Sequence, residues 1–395
     1  MFWPLMKEII TKEHKEVLTD FITNNSRLTN GPKVAEFEKQ WSDWLGVKYS
    51  LMVSSGSTAN FLLLAALKEL YKIPDGAKVL VPSMTWVTNI SPVFQLNMEP
   101  IFCDVDYKTF SFCKEHLKKI KEKHPSIGMI WITHLLGIAA DTKTCRELWP
   151  GALIAEDVCE SHGVEVDGVK AGAGDYTQGG TFSFYFGHHM STIEGGMVST
   201  NDFKLYNLMR AKRSHGMVRE MFEPQKSEYI KQYSDIHPAF LFVTDGYNFR
   251  STELNAVLGM EQLKDLDDWI QIRKDNLNKF LNMLSDYPDL FASDIETKGN
   301  SSFALPFLCK DENTKLNLEK HLQENGVETR PLIGGNLLRQ PFLSEYEADP
   351  DVNHPADFKK VEDLHETGFY IGNNHMITDE DFEKLTQLIR DFFLP

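Results

Sequence analysis

Between residues 50 and 250 short apolar runs alternate with longer stretches in which apolar residues recur every three or four positions. The runs are KVLVP (78–82), IFCDVD (101–106), GMIWITH (128–134), ALIAED (152–157), TFSF (181–184) and GMVST (196–200). Several are apolar at successive positions, the pattern of strands buried on both faces of a parallel sheet. Strands separated by helices predict an α/β fold. Asp104, His134 and Asp157 sit at or near the ends of three runs, and in open α/β sheets ligands gather beyond the carboxyl ends of the strands.

From Ser251 to Leu284 the spacing of Leu254, Val257, Leu258, Met260, Leu263 and Leu266 predicts one long helix, with no proline before Pro288. Beyond it the pattern predicts a strand in SSFALPFLC (301–309) and helices in LNLEKHLQENG (316–326) and DEDFEKLTQLIRDFF (379–393). Gly326 suits a helix end, and Asp379 or Asp381 a capped start. The 395 residues exceed the roughly 250–300 that one core serves. Two units are expected: a large α/β domain over 1–250, then a linking helix and small α+β domain over 251–395.

Charge and cysteine usage narrow the setting. Asp and Glu number 57 against 41 Lys and Arg, a net charge of -16, which argues against a nucleic-acid surface. Cys103, Cys113, Cys145, Cys159 and Cys309 show no CxxC spacing, so reduced thiols are expected rather than a disulfide framework or a metal site. The longest apolar runs, such as FLLLAAL (61–67), fall far short of the ~20 residues of a membrane span. The first residues run from apolar to charged, the reverse of a signal peptide. The expectation is a cytoplasmic protein without a membrane segment or a nucleic-acid partner.

Four constellations could carry chemistry. SSGSTAN (54–60) is a Gly/Ser/Thr turn opening a helix, a place for phosphate or an ordinary helix cap. Glu156-Asp157 closes a buried strand, where a carboxylate could pair with a protonated ring nitrogen, bind metal or cap a helix. SFYFGHHMSTIEGG (183–196) sets two histidines between a strand and a Glu-Gly-Gly turn. A lone histidine there is more often a satisfied core residue than a proton carrier. GYNFR (246–250) places Asn248 and Arg250 before the long helix, the latter a planar fork for carboxylate or phosphate.

In order and spacing these segments resemble the DegT/DnrJ/EryC1/StrS family, the sugar aminotransferases of the fold-type I pyridoxal-phosphate enzymes. The likeness covers nearly the whole chain, through RLTNGPKVAEFEKQW (27–41), SSGSTAN, VPSMTWVTN (81–89), AEDVCESHG (155–163), TFSFYFGHHMSTIEGG, GYNFRSTELNAVLGMEQL (246–263) and VETRPL (327–332). It implies an aspartate-aminotransferase-like fold with a large, mostly parallel sheet. It implies that Gly56, Ser57 and Ser183 hold the cofactor phosphate and that Trp86 stacks on the ring. Asp157 would keep the ring nitrogen protonated, and Asn248 would reach the phosphate from a partner subunit, so that a homodimer shares its sites.

The chain departs from the family at the lysine that binds the cofactor covalently: that position is His188. An imidazole forms no imine, so pyridoxal 5′-phosphate or pyridoxamine 5′-phosphate would be held non-covalently. This is the pattern of the sugar 3-dehydratases of the family, and HGMVRE (215–220) and GNNH (372–375) add to that likeness. It implies C3 deoxygenation of a nucleotide-linked 4-keto-6-deoxy sugar, GDP-4-keto-6-deoxy-D-mannose being favoured, with His188 as base and acid and L-glutamate restoring the amine. Arg250 is the candidate for the glutamate carboxylate, and His215 and Arg219 for the sugar substrate. His189 is assigned to structure, and His162 is expected to hydrogen-bond Asp157. An iron–sulfur cluster, found in related 3-dehydrases, would need a grouped cysteine set, which the dispersed cysteines do not offer. Two alternatives stand beside this reading: a lysine-less nucleotide-sugar 4-aminotransferase, and a catalytically dead binding protein.

Overall fold

The computed structural model describes residues 2–343, 346 and 355–393. Seven strands form the main sheet: β1 (Tyr49–Val53), β2 (Lys78–Pro82), β3 (Glu99–Cys103), β4 (Met129–Thr133), β5 (Leu153–Asp157), β8 (Gly179–Ser183) and β9 (Gly196–Thr200). Between β5 and β8 a two-stranded hairpin intervenes, β6 (Glu165–Val166) and β7 (Val169–Lys170). The sheet order is β1-β9-β8-β5-β4-β2-β3. β9 pairs antiparallel with both neighbours, and the other six strands run one way. The successive apolar residues are explained by burial on both faces: every residue of β4, β8 and β9 is buried.

A three-stranded antiparallel sheet follows, formed by β10 (Ala304–Leu308), β11 (Thr329–Pro331) and β12 (Gly368–Gly372) in the order β10-β12-β11. The chain start is tied to it. Trp3 bridges Val327, and its indole Nε1 donates to the Gly372 carbonyl at 2.9 Å.

The single long helix does not form. Helices Glu253–Leu263 and Leu266–Leu284 are separated by Lys264 and Asp265. Apolar spacing runs through the break, but Asp265, Asp267 and Asp268 cluster at the start of the second helix. Aspartate is poor inside a helix and favourable at its N-terminus, so the chain restarts there. The last helix, Asp379–Phe393, is capped by neither Asp379 nor a lone Asp381. Thr378 Oγ1 accepts from the Asp381 amide, and the Asp381 carboxylate accepts from the Thr378 amide, a reciprocal box. Gly326 does follow a helix end, at φ +81°.

Among the described residues no helix is long and apolar enough to cross a membrane.

Candidate active site

The carboxyl ends of the parallel strands open into a cavity of about 740 Å³. Several strands deliver different groups to it. After β1, Ser55 caps helix Gly56–Leu70: its hydroxyl accepts from the Thr58 amide at 3.1 Å, and Thr58 Oγ1 accepts from the Ser55 amide at 3.0 Å. The amides at Gly56 and Ser57 are left for an anion at the positive end of the helix. Gly56 permits a close approach: a β-carbon there would lie 2.6 Å from Ser183 Cβ. The Glu-Gly-Gly turn has the same origin. A β-carbon at Gly196 would lie 2.3 Å from the Ser55 carbonyl oxygen, and one at Gly195 2.3 Å from Thr192 Oγ1.

Asp157, at the end of β5, is 4% exposed. Its Oδ2 accepts from Asn60 and Asn89 Nδ2, each at 2.8 Å, and its Oδ1 from the Cys159 amide at 2.9 Å. Both amides are oriented by hydroxyls on their oxygens. Thr181 donates to Asn60 Oδ1 at 2.6 Å, and Thr133 to Asn89 Oδ1 at 3.0 Å. Among the described residues no lysine, arginine or histidine forms an ion pair with this carboxylate. A buried carboxylate with neutral donors on one side and open cavity on the other is completed by a cation in the cavity.

Glu156 and Asp157 leave the strand on opposite faces. Glu156 is a structural anchor: Tyr176 donates to Oε1 and the Gly172 amide to Oε2, each at 2.8 Å. His134 Nδ1 accepts from the Ala140 amide, so its Nε2 carries the proton and donates to Glu156 Oε1 at 3.1 Å.

His188 lies in the turn after β8, half-buried on the cavity wall. Its Nδ1 is buried without a hydrogen-bond partner, leaving Nε2 to meet the cavity. Burial, and then the Arg273 cation, push its pKa down to about 3. His189 is buried and structural: its Nε2 donates to the Ser301 carbonyl at 3.1 Å, and its Nδ1 faces His162 Nδ1 at 3.4 Å. His162 therefore packs against His189 and does not bond Asp157, correcting the sequence expectation. The turn carries its side chains past the strand, so proximity in sequence did not become proximity in space.

The structure thus gathers Gly56, Ser57, Trp86, Asp157, Ser183 and His188 around one cavity. Trp86 is 55% exposed on its wall, an unusual position for so large an apolar ring unless something covers it. His215, Arg219 and Arg250 lie elsewhere, around a groove of about 540 Å³ that Arg27 also lines. Asn248 is exposed and, among the described residues, bonded only through a backbone bridge to Ser214. Some cavity residues were not singled out in the sequence. Glu160 lines the cavity, accepts from the Leu136 amide at 3.2 Å, and has its pKa raised to about 8, chiefly by burial. It lay inside AEDVCESHG, but only the fold reveals that it turns inward. Asn60 and Asn89 likewise lay inside quoted segments without an assignable role.

Fold and cavity together define the class: an aminotransferase-type α/β protein with an anion cradle at a helix start and a buried carboxylate facing it. The family model described as the DegT/DnrJ/EryC1/StrS aminotransferase family matches residues 8–390, and the chain belongs to that family. It is 33% identical over 376 residues to the GDP-4-keto-6-deoxy-D-mannose 3-dehydratase of Yersinia pseudotuberculosis, with 93% of each chain covered. It is similar to the solved Escherichia coli GDP-4-keto-6-deoxy-D-mannose-3-dehydratase with bound hydrated PLP, at TM-score 0.87 and 29% identity over 98% of both chains. A structure of GDP-4-keto-6-deoxymannose-3-dehydratase with a trapped PLP-glutamate geminal diamine gives TM-score 0.84 and 28% identity, covering 98% of this chain and 99% of that one.

Proposed function

We propose that the protein is a pyridoxamine-phosphate-dependent 3-dehydratase of GDP-4-keto-6-deoxy-D-mannose, regenerated by L-glutamate. The observation that carries this reading is that His188 opens onto the cavity shared with Asp157 and that among the described residues no lysine lines that cavity. The cavity fits the cofactor: the helix start and Ser183 suit a phosphate, Asp157 lacks a cation, and Trp86 offers an uncovered ring. Similarity to relatives that bear this activity supports the substrate and the amino donor.

When bound, the cofactor supplies a primary amine that takes up the C4 ketone and a ring that accepts an electron pair. Asp157 holds a proton on the ring nitrogen, locked in place by Asn60 and Asn89. The Gly56 and Ser57 amides and the Ser183 hydroxyl bind the phosphate. His188 Nε2 takes a proton from carbon. It then gives one to the C3 oxygen, which leaves as water with the electrons of the broken C–O bond. Water would release the 3-deoxy-4-keto sugar and ammonia, and L-glutamate would be the amino donor that returns the cofactor to its amine form.

Asn248, His215, Arg219 and Arg250 act across the interface of a homodimer in this proposal. The exposure of Phe240 (66%) and Phe242 (56%) beside the arginine groove supports a covered face. There Arg250 would take the glutamate carboxylate, and His215 and Arg219 the substrate.

The decisive experiment incubates the protein with pyridoxal phosphate, L-glutamate and GDP-4-keto-6-deoxy-D-mannose. Ammonia and a 3-deoxy sugar are expected in equal amounts. A stable 4-amino sugar without ammonia would make it a transaminase, and absence of cofactor binding a scaffold.

Gly56→Ala tests the cradle. Its β-carbon would meet Ser183, and cofactor affinity should fall about tenfold, the scale of one lost hydrogen bond. Titration of cofactor absorbance reads this directly, and unchanged affinity would remove Gly56 from the phosphate site.

A further inference from the structure

Arg273, on helix Leu266–Leu284, is 0% exposed. Among the described residues it has no carboxylate partner, and its Nε and Nη2 have no hydrogen-bond acceptor. Only Nη1 is held, by the carbonyls of Phe303, at 3.2 Å, and Asn373. A buried, unpaired guanidinium is costly, and a merely structural site would be expected to pair it.

Its surroundings lead to the candidate base. Asn373 Nδ2 donates to the Arg273 carbonyl at 3.0 Å and to Ser302 Oγ at 2.8 Å. Asn276, one turn along the helix, donates to Asn373 Oδ1 at 3.0 Å. The segment GNNH thus clamps the helix to Ser301–Phe303. On its other side that stretch carries the histidines: Ser301 accepts from His189, and the Phe303 ring lies 5.6 Å from the His188 ring.

We infer that Arg273 is a positioning residue for the reaction proposed above: an uncompensated cation bonded to the carbonyl of Phe303, whose ring packs on His188, that adds to burial in disfavouring a proton on the imidazole. The groups facing His188 are consistent with this. His162 and His189 lie behind it, both held neutral mainly by burial, with Arg273 contributing. Tyr185 touches its edge, with ring centroids 6.2 Å apart. Of the carboxyl groups on the cavity, Asp157 is occupied by three donors, Glu160 has its pKa raised to about 8, chiefly by burial, and Glu194 and Glu328 line the cavity with Arg330. Among the described residues no carboxylate forms an ion pair with Arg273, His162, His188 or His189. A proton on His188 is therefore repelled from behind, which suits delivery to a departing hydroxyl.

The test is NMR of histidine-labelled full-length protein without cofactor, with the His188 signal assigned by His188→Gln. In the native protein His188 should stay neutral down to about pH 4, given its pKa of about 3. Arg273→Gln can still donate to the Phe303 and Asn373 carbonyls but lacks the charge, and should raise the His188 midpoint by about one pH unit. Arg273→Lys should hold it near the native value. A native midpoint at the ordinary value of 6.5 would overturn the inference even if neither variant folds, as would a midpoint unmoved in Arg273→Gln. The assay distinguishes the two proposals: a 3-deoxy product with an ordinary His188 titration defeats only this one, and the reverse result defeats only the dehydratase reading.

Discussion

Replacing His188 by glutamine is expected to lower the rate of sugar dehydration by about 10³-fold, within the usual contribution of a positioned acid–base group, while cofactor affinity changes little. Nε2 is the nitrogen that meets the cavity, and among the described residues no lysine lines the cavity to take its place. His188→Lys should show a second effect. Burial and Arg273 act on the cationic form of whatever base stands at this position, so they should keep a lysine amine neutral and nucleophilic as well. That variant should link covalently to pyridoxal phosphate, with visible absorbance that borohydride reduction fixes, and should lose dehydration. Dehydration at the native rate in His188→Lys would show that another group moves the proton.

Asp157→Asn should cost about 10²-fold in the glutamate half-reaction, corresponding to about 3 kcal/mol for an ionic partner removed from a buried site. The substitution keeps the shape, but it places an amide against the Nδ2 groups of Asn60 and Asn89, which now donate to a carboxylate at 2.8 Å. The ring nitrogen would lose the charge that holds its proton. Stopped-flow absorbance with L-glutamate alone measures the half-reaction without the sugar. A variant that transaminates at the native rate would leave Asp157 as an anchor for the two asparagines only.

The strands show how far pattern alone reaches. KVLVP and GMVST coincide with β2 and β9 residue for residue, because strands buried on both faces keep a mostly apolar run. The helix over 251–284 shows where pattern stops. Its apolar spacing continues through Lys264-Asp265, and only the local chemistry of the three aspartates marks the break. The site divides in the same way. Asp157, Gly56 and His188 stood out because residue type and motif position point to their chemistry. Asn60, Asn89 and Glu160 belong to the same motifs, yet their roles depend on where helices and turns aim them.

The order of apolar runs, the turn at the helix start, and an imidazole where the family has lysine are properties of the chain itself. They determine an α/β sheet, a Gly/Ser/Thr turn opening a helix, and a histidine where the family has its lysine. Distances between remote segments were decided only by the tertiary structure. Packing placed His162 against His189 rather than Asp157, and gathered His215, Arg219 and Arg250 around a groove of their own. It also buried Arg273 behind His188 although 85 positions separate their numbers. The physical reason is that burial and the fields of buried charges arise when segments pack together, and no single segment carries them alone.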